Sequence, residues 1–405
     1  MSEQAEVQDQ PNSKLSRRNV LKAAIAAGGA AVFGLSCGKR ETETPAPTAP
    51  AVTKGQGPIT MRWQSTWPQK DIFHEYALDF AKKVNDMTGG DLKIDVLPAG
   101  AVVPAFQLLD AVSKGTLDGG HGVLVYHYGK QTALALFGSS PAYGMDANTL
   151  LAWFKYGGGR QLLDKLYKSI NANVVSFPYG PMPTQPLGWF KKPVTRADDM
   201  KGLKFRTVGI SIDLFTGMGA AVNALPGGEI VPAMDRGLLD AAEFNNASSD
   251  RILGFPDVSK VCMLQSYHQN AEQFEIMFNK DKYDALPAKM KAIIEYAVEA
   301  ASADMAWKAI DRYSKDYVEM QTKDKVRFYK TPDSVLQRQL DIFDQVEAKK
   351  SAENPMFKEI AESQRQFASR AVKWYLDTQV SPRMAYNHYF VKRAAKPAAP
   401  AGKKS

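Results

Sequence analysis

PAMDRGLLDAAEFNN, residues 232–246, holds a fold and a candidate site in fifteen positions. Ala233, Met234, Leu238 and Leu239 are spaced as the apolar side of a short helix. Gly237 supplies the left-handed residue that ends it. Residues 239–242, LDAA, then read as a short buried strand, with Glu243 at its carboxyl end. Open α/β sheets bind ligands in the crevice beyond the carboxyl ends of their strands, so Glu243 is a site candidate on position alone.

The same unit occurs earlier in the chain. AVSKGTLDGG, residues 111–120, matches AMDRGLLDAA, residues 233–242, at a constant offset of 122, with Ala, Gly, Leu and Asp recurring in place. Each copy runs from a helix through a glycine stop into a strand. A helix-glycine-strand unit is common enough for chance to produce two. Read as a repeat, the pair predicts two related α/β lobes, and ligand pockets favour the interface between such lobes.

From residue 59 the chain alternates strands with helices. Residues 60–67 are β-rich, Pro68 and Asp71 open a helix that keeps the 3.6-residue period to Met87, and Gly89-Gly90 stops it. Residues 92–97 alternate as a second strand, and 106–113 form another helix stopped by Gly115. This order predicts a parallel α/β sheet. Further on, 174–177 is an apolar strand, and GPMPTQPLGWF, residues 180–190, reads as a rigid turn that fixes Gln185. Residues 203–208 alternate up to Gly209 and set Arg206 near a strand end. A lone arginine is usually a solvated surface group. One that meets a carboxylate and an amide at neighbouring strand ends suits a small carboxylate ligand, which a guanidinium holds in bidentate fashion. Glu243 would repel such a ligand unless a hard cation lay between them, and oxygens from Glu243 and Gln185 are what Na⁺ or Ca²⁺ takes.

Composition excludes other classes. The chain has 405 residues, 44% hydrophobic and 23% charged, enough for about two domains. Its net charge of +8 resides at the ends: residues 1–40 carry six Lys/Arg against three Asp/Glu, and 392–405 carry five Lys/Arg and no acid. The body is neutral, so nucleic-acid binding is not expected. Residues 1–36 read as a twin-arginine export signal, with Arg17-Arg18 before a weakly apolar, Ala- and Gly-rich run too short to span a membrane. Cys37 ends that run as a lipoprotein-type cysteine would, although Gly34 is not the branched residue such sites prefer. Residues 37–58 have a tether's Thr/Pro/Ala composition, and 391–405 a solvated basic tail. Cys262, the second of two cysteines, lies among apolar residues and reads as a buried thiol. The five histidines are scattered singly, which argues against zinc.

Several ordered motifs resemble one family. Trp67-Pro68, LPAGAVVPAFQLLDAVSKGTLDGGHG, GPMPTQPLGWF, KFRTVG, LPGGEIVPAMDRGLLDAAEFNN and SYHQN are similar to the solute receptors of tripartite ATP-independent periplasmic (TRAP) transporters, in the branch that binds 2-oxoacids such as pyruvate. The likeness covers residues 59–385. It implies a periplasmic-binding-protein fold of the α/β class: lobe I over about 59–175, lobe II over about 176–285, and a long spanning helix with C-terminal helices over 286–390. It implies that Arg206 holds the ligand carboxylate, and that Gln185, Glu243 and the backbone of Phe244 hold Na⁺ or Ca²⁺ shared with the ligand. Phe244 stands where this branch often has Trp. Gln269 falls on a further polar site position, and Trp67 and Tyr128 on the pocket wall. The partners implied are a small-molecule carboxylate, the TRAP permease subunits in the membrane, and a second copy of the chain.

Residues 289–320 carry an apolar stripe long enough to cross both lobes, or to serve as a core helix of one. Residues 333–349 and 355–390 read as further helices. The last carries Phe367, Trp374, Tyr375 and Tyr389, more apolar surface than a finished monomer exposes, and this predicts a homodimer that exchanges C-terminal helices. Binding of a different organic acid, or an enzyme on a similar cleft, is the alternative. The sequence offers an enzyme no nucleophile with an adjacent base and no phosphate loop.

Overall fold

The protein is described by a computed structural model over residues 57–391. The export signal, Cys37, nearly all of the tether and the basic tail beyond Val391 lie outside the described residues.

Among the described residues eleven strands form two sheets. The first contains β1 (Ile59–Ser65), β2 (Leu92–Leu97), β3 (Gly119–Val123), β4 (Val174–Met182) and β10 (Glu272–Asn279) in the order β2-β1-β3-β10-β4. The second contains β5 (Gly188–Phe190), β6 (Lys204–Arg206), β7 (Ala221–Asn223), β8 (Ala241–Ala242), β9 (Val261–Leu264) and β11 (Arg327–Lys330) in the order β11-β9-β5-β8-β6-β7. Helices pack around both, so the α/β class with two lobes holds.

Local chemistry explains the early elements. Asp71 Oδ1 accepts the backbone N–H of Phe73 at 3.1 Å and caps helix Ile72–Met87. That helix buries Phe73, Tyr76, Phe80 and Val84, and ends where Gly89 takes a positive φ. Both copies of the repeat turn on a left-handed glycine, Gly115 at φ 75° and Gly237 at φ 71°. The copies then diverge for a packing reason. A Cβ on Gly119 would collide with the Trp63 ring and the Met277 carbonyl, whereas Ala241 and Ala242 fit in the second sheet.

Three expectations change. The sheets are mixed, because β10 runs antiparallel to both β3 and β4, and β5 antiparallel to β8 and β9. The lobe boundary also moves: β4 extends to Met182, and β10, expected in the second lobe, lies inside the first sheet. All eight residues of β10 are buried, which only a central strand covered on both faces allows. The stretch 180–190 is thus two strand ends joined by residues 183–187, not one turn.

Helix Ala288–Thr322 has 35 residues and is about 50 Å long at 1.5 Å per residue. It packs on helix Ile72–Met87 and β4 of the first lobe, and on helix Ala247–Leu253 of the second. Polar contacts fix both docks. Lys308 reaches Glu75 at 3.2 Å, while Arg251 meets Asp316 at 2.9 Å and Asp324 at 2.8 Å. The helix therefore spans both lobes.

The C-terminal segment is two helices rather than one, Pro355–Thr378 and Pro382–Phe390. Pro382 cannot continue a helix from the residues before it, and Ser381 caps the next one through Met384 N–H at 3.3 Å. Helix Pro355–Thr378 buries Phe357, Ile360, Ala361 and Ala368, and Phe367 packs partly buried against the same core. Trp374, Leu376, Tyr389 and Phe390 are exposed. No helix among the described residues is long and apolar enough to cross a membrane.

Candidate functional site

β6 and β8 are parallel neighbours with Arg206 opposite Ala242. The register sets Arg206 and Glu243 side by side at the carboxyl end of the second sheet. Glu243 N–H donates to the Arg206 carbonyl at 3.3 Å. Arg206 Nη1 donates to the Glu243 carbonyl and to its Oε1, each at 2.9 Å, and Nε donates to the Leu225 carbonyl at 2.8 Å. Both side chains are buried, 1% and 0% exposed. Nη2 of Arg206 and Oε2 of Glu243 have no hydrogen-bond partner among the described residues.

Residues 183–187, which link the two sheets, carry Gln185 into the same space. Its Nε2 donates to Glu272, and its Oε1 has no partner among the described residues. Gln269 follows β9, and its carbonyl accepts the Gln185 N–H at 3.3 Å. Both polar atoms of the Gln269 side chain are buried and unpartnered among the described residues. Buried polar atoms are almost always satisfied. Several unsatisfied ones around one point mark a place for a polar guest.

The cavity between these groups is ≈ 10 Å³, about the room of one water. Arg206, Gln185, Gln269, Phe244 and Trp67 all line it. The Phe244 ring lies 5.8 Å from the Arg206 guanidinium. Glu243 stands behind the wall, engaged with Arg206. Trp67 is held by a chain of hydrogen bonds: its indole N–H donates to His121 Nδ1 at 2.7 Å, and His121 Nε2 meets the Tyr179 hydroxyl. An indole only donates, so Nδ1 accepts and the ring proton is on Nε2. Burial lowers the His121 pKa to about 3, which keeps that ring neutral.

Tyr128 corrects the sequence expectation. It lies outside the cavity, and its hydroxyl donates to Asp213 at 2.5 Å. Residues Leu124–His127 form a 3₁₀ helix with three residues per turn. Two residues apart on such a turn cannot face the same way, and Tyr126 takes the wall position. Burial pushes the Tyr126 hydroxyl up to about 12.

Glu272 was not foreseen. Its Oε2 accepts Asn245 Nδ2 at 2.8 Å as well as Gln185, and it lines the cavity. Burial first and the Glu243 charge second push its pKa up to about 8, against the opposing effect of the Gln185 bond. The available signal was a carboxylate opening an otherwise apolar run, EQFEIMFN. His268 is also new: its Nε2 lies 4.0 Å from Glu243 Oε2. Among the described residues no group of three or more His, Cys, Asp or Glu is arranged to hold a metal ion. Gln185 Oε1 and Glu243 Oε2, both unpartnered among the described residues, are instead an amide and carboxylate pair beside the Glu272 carboxyl, and such oxygens suit a hard cation.

Two α/β lobes that meet over a buried arginine, bridged by one long helix, define a periplasmic-type solute-binding protein. The chain belongs to the bacterial extracellular solute-binding protein family 7 (DctP), the solute receptors of TRAP transporters, which it matches over residues 64–354. A periplasmic location follows from the family. The chain is 35% identical over 292 residues to a monocarboxylate 2-oxoacid-binding periplasmic protein of Nostoc sp., covering 72% of this chain and 77% of that one. It resembles the crystal structure of a TRAP solute-binding protein from Bordetella bronchiseptica, a mixed-occupancy dimer with copurified calcium and picolinate. That similarity has TM-score 0.77 and 28% identity over 82% of this chain and 97% of the other. A receptor from Pseudoalteromonas atlantica with bound sodium and pyruvate matches with TM-score 0.75 and 28% identity, over 82% and 99% of the two chains.

Proposed function

We propose that this receptor captures a small 2-oxo- or 2-hydroxymonocarboxylate together with Na⁺ or Ca²⁺ and delivers it to the TRAP permease subunits. The observation that carries this reading is Arg206, a buried guanidinium with Nη2 unpartnered beside the unpartnered oxygens of Gln185 and Glu243. In this reading the acid takes Nη1 and Nη2 as a planar pair, and Glu243 gives up its bond to Nη1. Glu243, Gln185, Glu272 and the Phe244 carbonyl are the oxygen donors for the cation. The cation supplies positive charge between the ligand and the two glutamates. Trp67, Tyr126 and Phe244 exclude water, which strengthens every charged contact inside. Gln269 offers an amide to the ligand's second oxygen function. The acid is released unchanged, as a receptor requires.

The relatives support the reading in kind. The Nostoc protein is named for 2-oxoacids, and the Bordetella and Pseudoalteromonas receptors hold a carboxylate with calcium or sodium. Mass spectrometry of the acid that copurifies, with metal analysis of the same sample, tests it. A 2-oxoacid or 2-hydroxyacid with stoichiometric Na⁺ or Ca²⁺ is expected. A sugar acid or a dicarboxylate, without metal, would contradict it.

The reading includes assembly and address. The exposed Trp374, Leu376, Tyr389 and Phe390 support a homodimer formed through the C-terminal helices. The Arg17-Arg18 segment supports export by the twin-arginine route, and Cys37 followed by the Pro/Ala-rich tether supports a lipid anchor.

A further inference from the structure

A second cavity, of ≈ 300 Å³, lies behind the first. Trp189, Leu264, Tyr313, Tyr317, Met320 and Phe328 make its walls mostly apolar. It shares a partition with the solute cavity. Asn245 borders both, while the 183–187 segment turns Gln185 toward the first and Pro183 and Pro186 toward the second.

The partition is pinned. Asn245 Nδ2 donates to Glu272 Oε2 at 2.8 Å, its Oδ1 accepts Asn246 Nδ2 at 2.9 Å, and its backbone N–H donates to Asp250 Oδ1 at 3.1 Å. The residue is 3% exposed. A side chain held at two points on a backbone held at a third does not swing aside for a guest. The charged group that borders the second cavity is also committed, since Asp250 Oδ2 accepts the Trp189 indole N–H at 2.8 Å. The mainly apolar lining suits hydrocarbon.

We propose that Asn245 sets the length of the acid this receptor accepts, and that the apolar cavity behind it is a subsite for the aliphatic chain of a longer 2-oxoacid once that amide is removed. The inference rests on the first cavity being the carboxylate site. The chain of a 2-oxoacid extends from the keto carbon on the side away from the carboxylate, so with the carboxylate on Arg206 it has to leave the small cavity across one of its walls. The Asn245 wall has room beyond it. Each methylene moved from water into such a space favours binding about fourfold.

The test compares pyruvate, 4-methyl-2-oxopentanoate and 2-oxooctanoate by calorimetry at saturating Na⁺ or Ca²⁺. Wild-type protein should bind pyruvate and reject 2-oxooctanoate. Asn245→Ala also loses the bond to Glu272, so the readout is the affinity for a long acid relative to pyruvate, which should rise at least tenfold. Asn245→Ser, a milder change, should move the same way. Adding Leu264→Trp to Asn245→Ala should fill the second cavity and cancel the gain. A ratio unchanged in both single variants, or a gain that survives Leu264→Trp, overturns the inference. So does wild-type protein that binds 2-oxooctanoate as tightly as pyruvate, a result that needs no variant to fold. Wild-type protein that binds no monocarboxylate would remove the proposed function and this inference with it.

Discussion

Arg206 Nη1 lies 2.9 Å from Glu243 Oε1, and neither side chain reaches solvent. The receptor's own carboxylate thus rests on the donor that a ligand carboxylate needs. A buried pair of this kind gains little over apolar packing, but removing one partner is costly. In the proposed function its use is as a switch: the acid would replace Glu243 on the arginine, and Glu243 would become free for a cation.

Replacing Arg206 by Lys tests the planar fork. Lysine keeps the charge but loses bidentate geometry, so affinity for the acid should fall by about 2 kcal/mol or more, roughly thirtyfold. Unchanged affinity by calorimetry for every candidate acid would remove Arg206 from the site.

Glu243→Gln keeps an acceptor for Arg206 while removing a formal charge. Binding of the acid should weaken, and its dependence on added Na⁺ or Ca²⁺ should flatten. Equal cation dependence in variant and wild type would move the cation away from Glu243.

Buried carboxyls predict how stability follows pH. Burial raises Asp71 to about 6 and Asp250 to about 7 from the ordinary 3.8. Between the unfolded and folded values the folded chain binds more protons, so stability is lost as pH rises from about 4 toward 7, by at most about 1.4 kcal/mol per unit and per group. Glu272 acts in the same sense. Asp250→Asn keeps an acceptor for Trp189 and should make the fall in melting temperature between pH 5 and 7 shallower. An equally steep profile would show that Asp250 is ionised throughout that range.

Assembly is tested by shortening the chain. The buried positions of helix Pro355–Thr378 end at Ala368, so a chain ending at Arg370 should keep its fold while losing Trp374, Tyr389 and Phe390. Sedimentation should report a dimer for the full chain and a monomer for the short one. A folded short chain that stays dimeric would exclude the exchange of helices.

What the sequence disclosed was local or carried by motif. Asp71, Gly89 and the period from Phe73 to Val84 are enough to define the first helix, and Gly115 and Gly237 mark equivalent turns because φ is positive there. Arg206, Gln185, Gln269, Trp67 and Phe244 line one cavity, with Glu243 just behind them. The misses were non-local. EQFEIMFN has the composition of a buried strand, but nothing in it says that its neighbours are β3 and β4, about 150 and 100 residues earlier. Tyr126 and Tyr128 are equivalent by composition, and a single 3₁₀ turn decides which faces the cavity. Glu272 was hidden because its role depends on that unforeseen pairing. The break before Pro382 was legible in principle, since the residue before a proline resists helix.

The central claim is that a small 2-oxoacid and a cation bind together at Arg206 and Glu243. Calorimetry of pyruvate binding to protein freed of ligand and metal, titrated with and without Na⁺ and Ca²⁺, addresses it directly. The account predicts saturable binding at one site per chain, strengthened at least tenfold by one of the two cations and lost in Arg206→Ala. Pyruvate binding that is indifferent to both cations, or that survives Arg206→Ala, would contradict it.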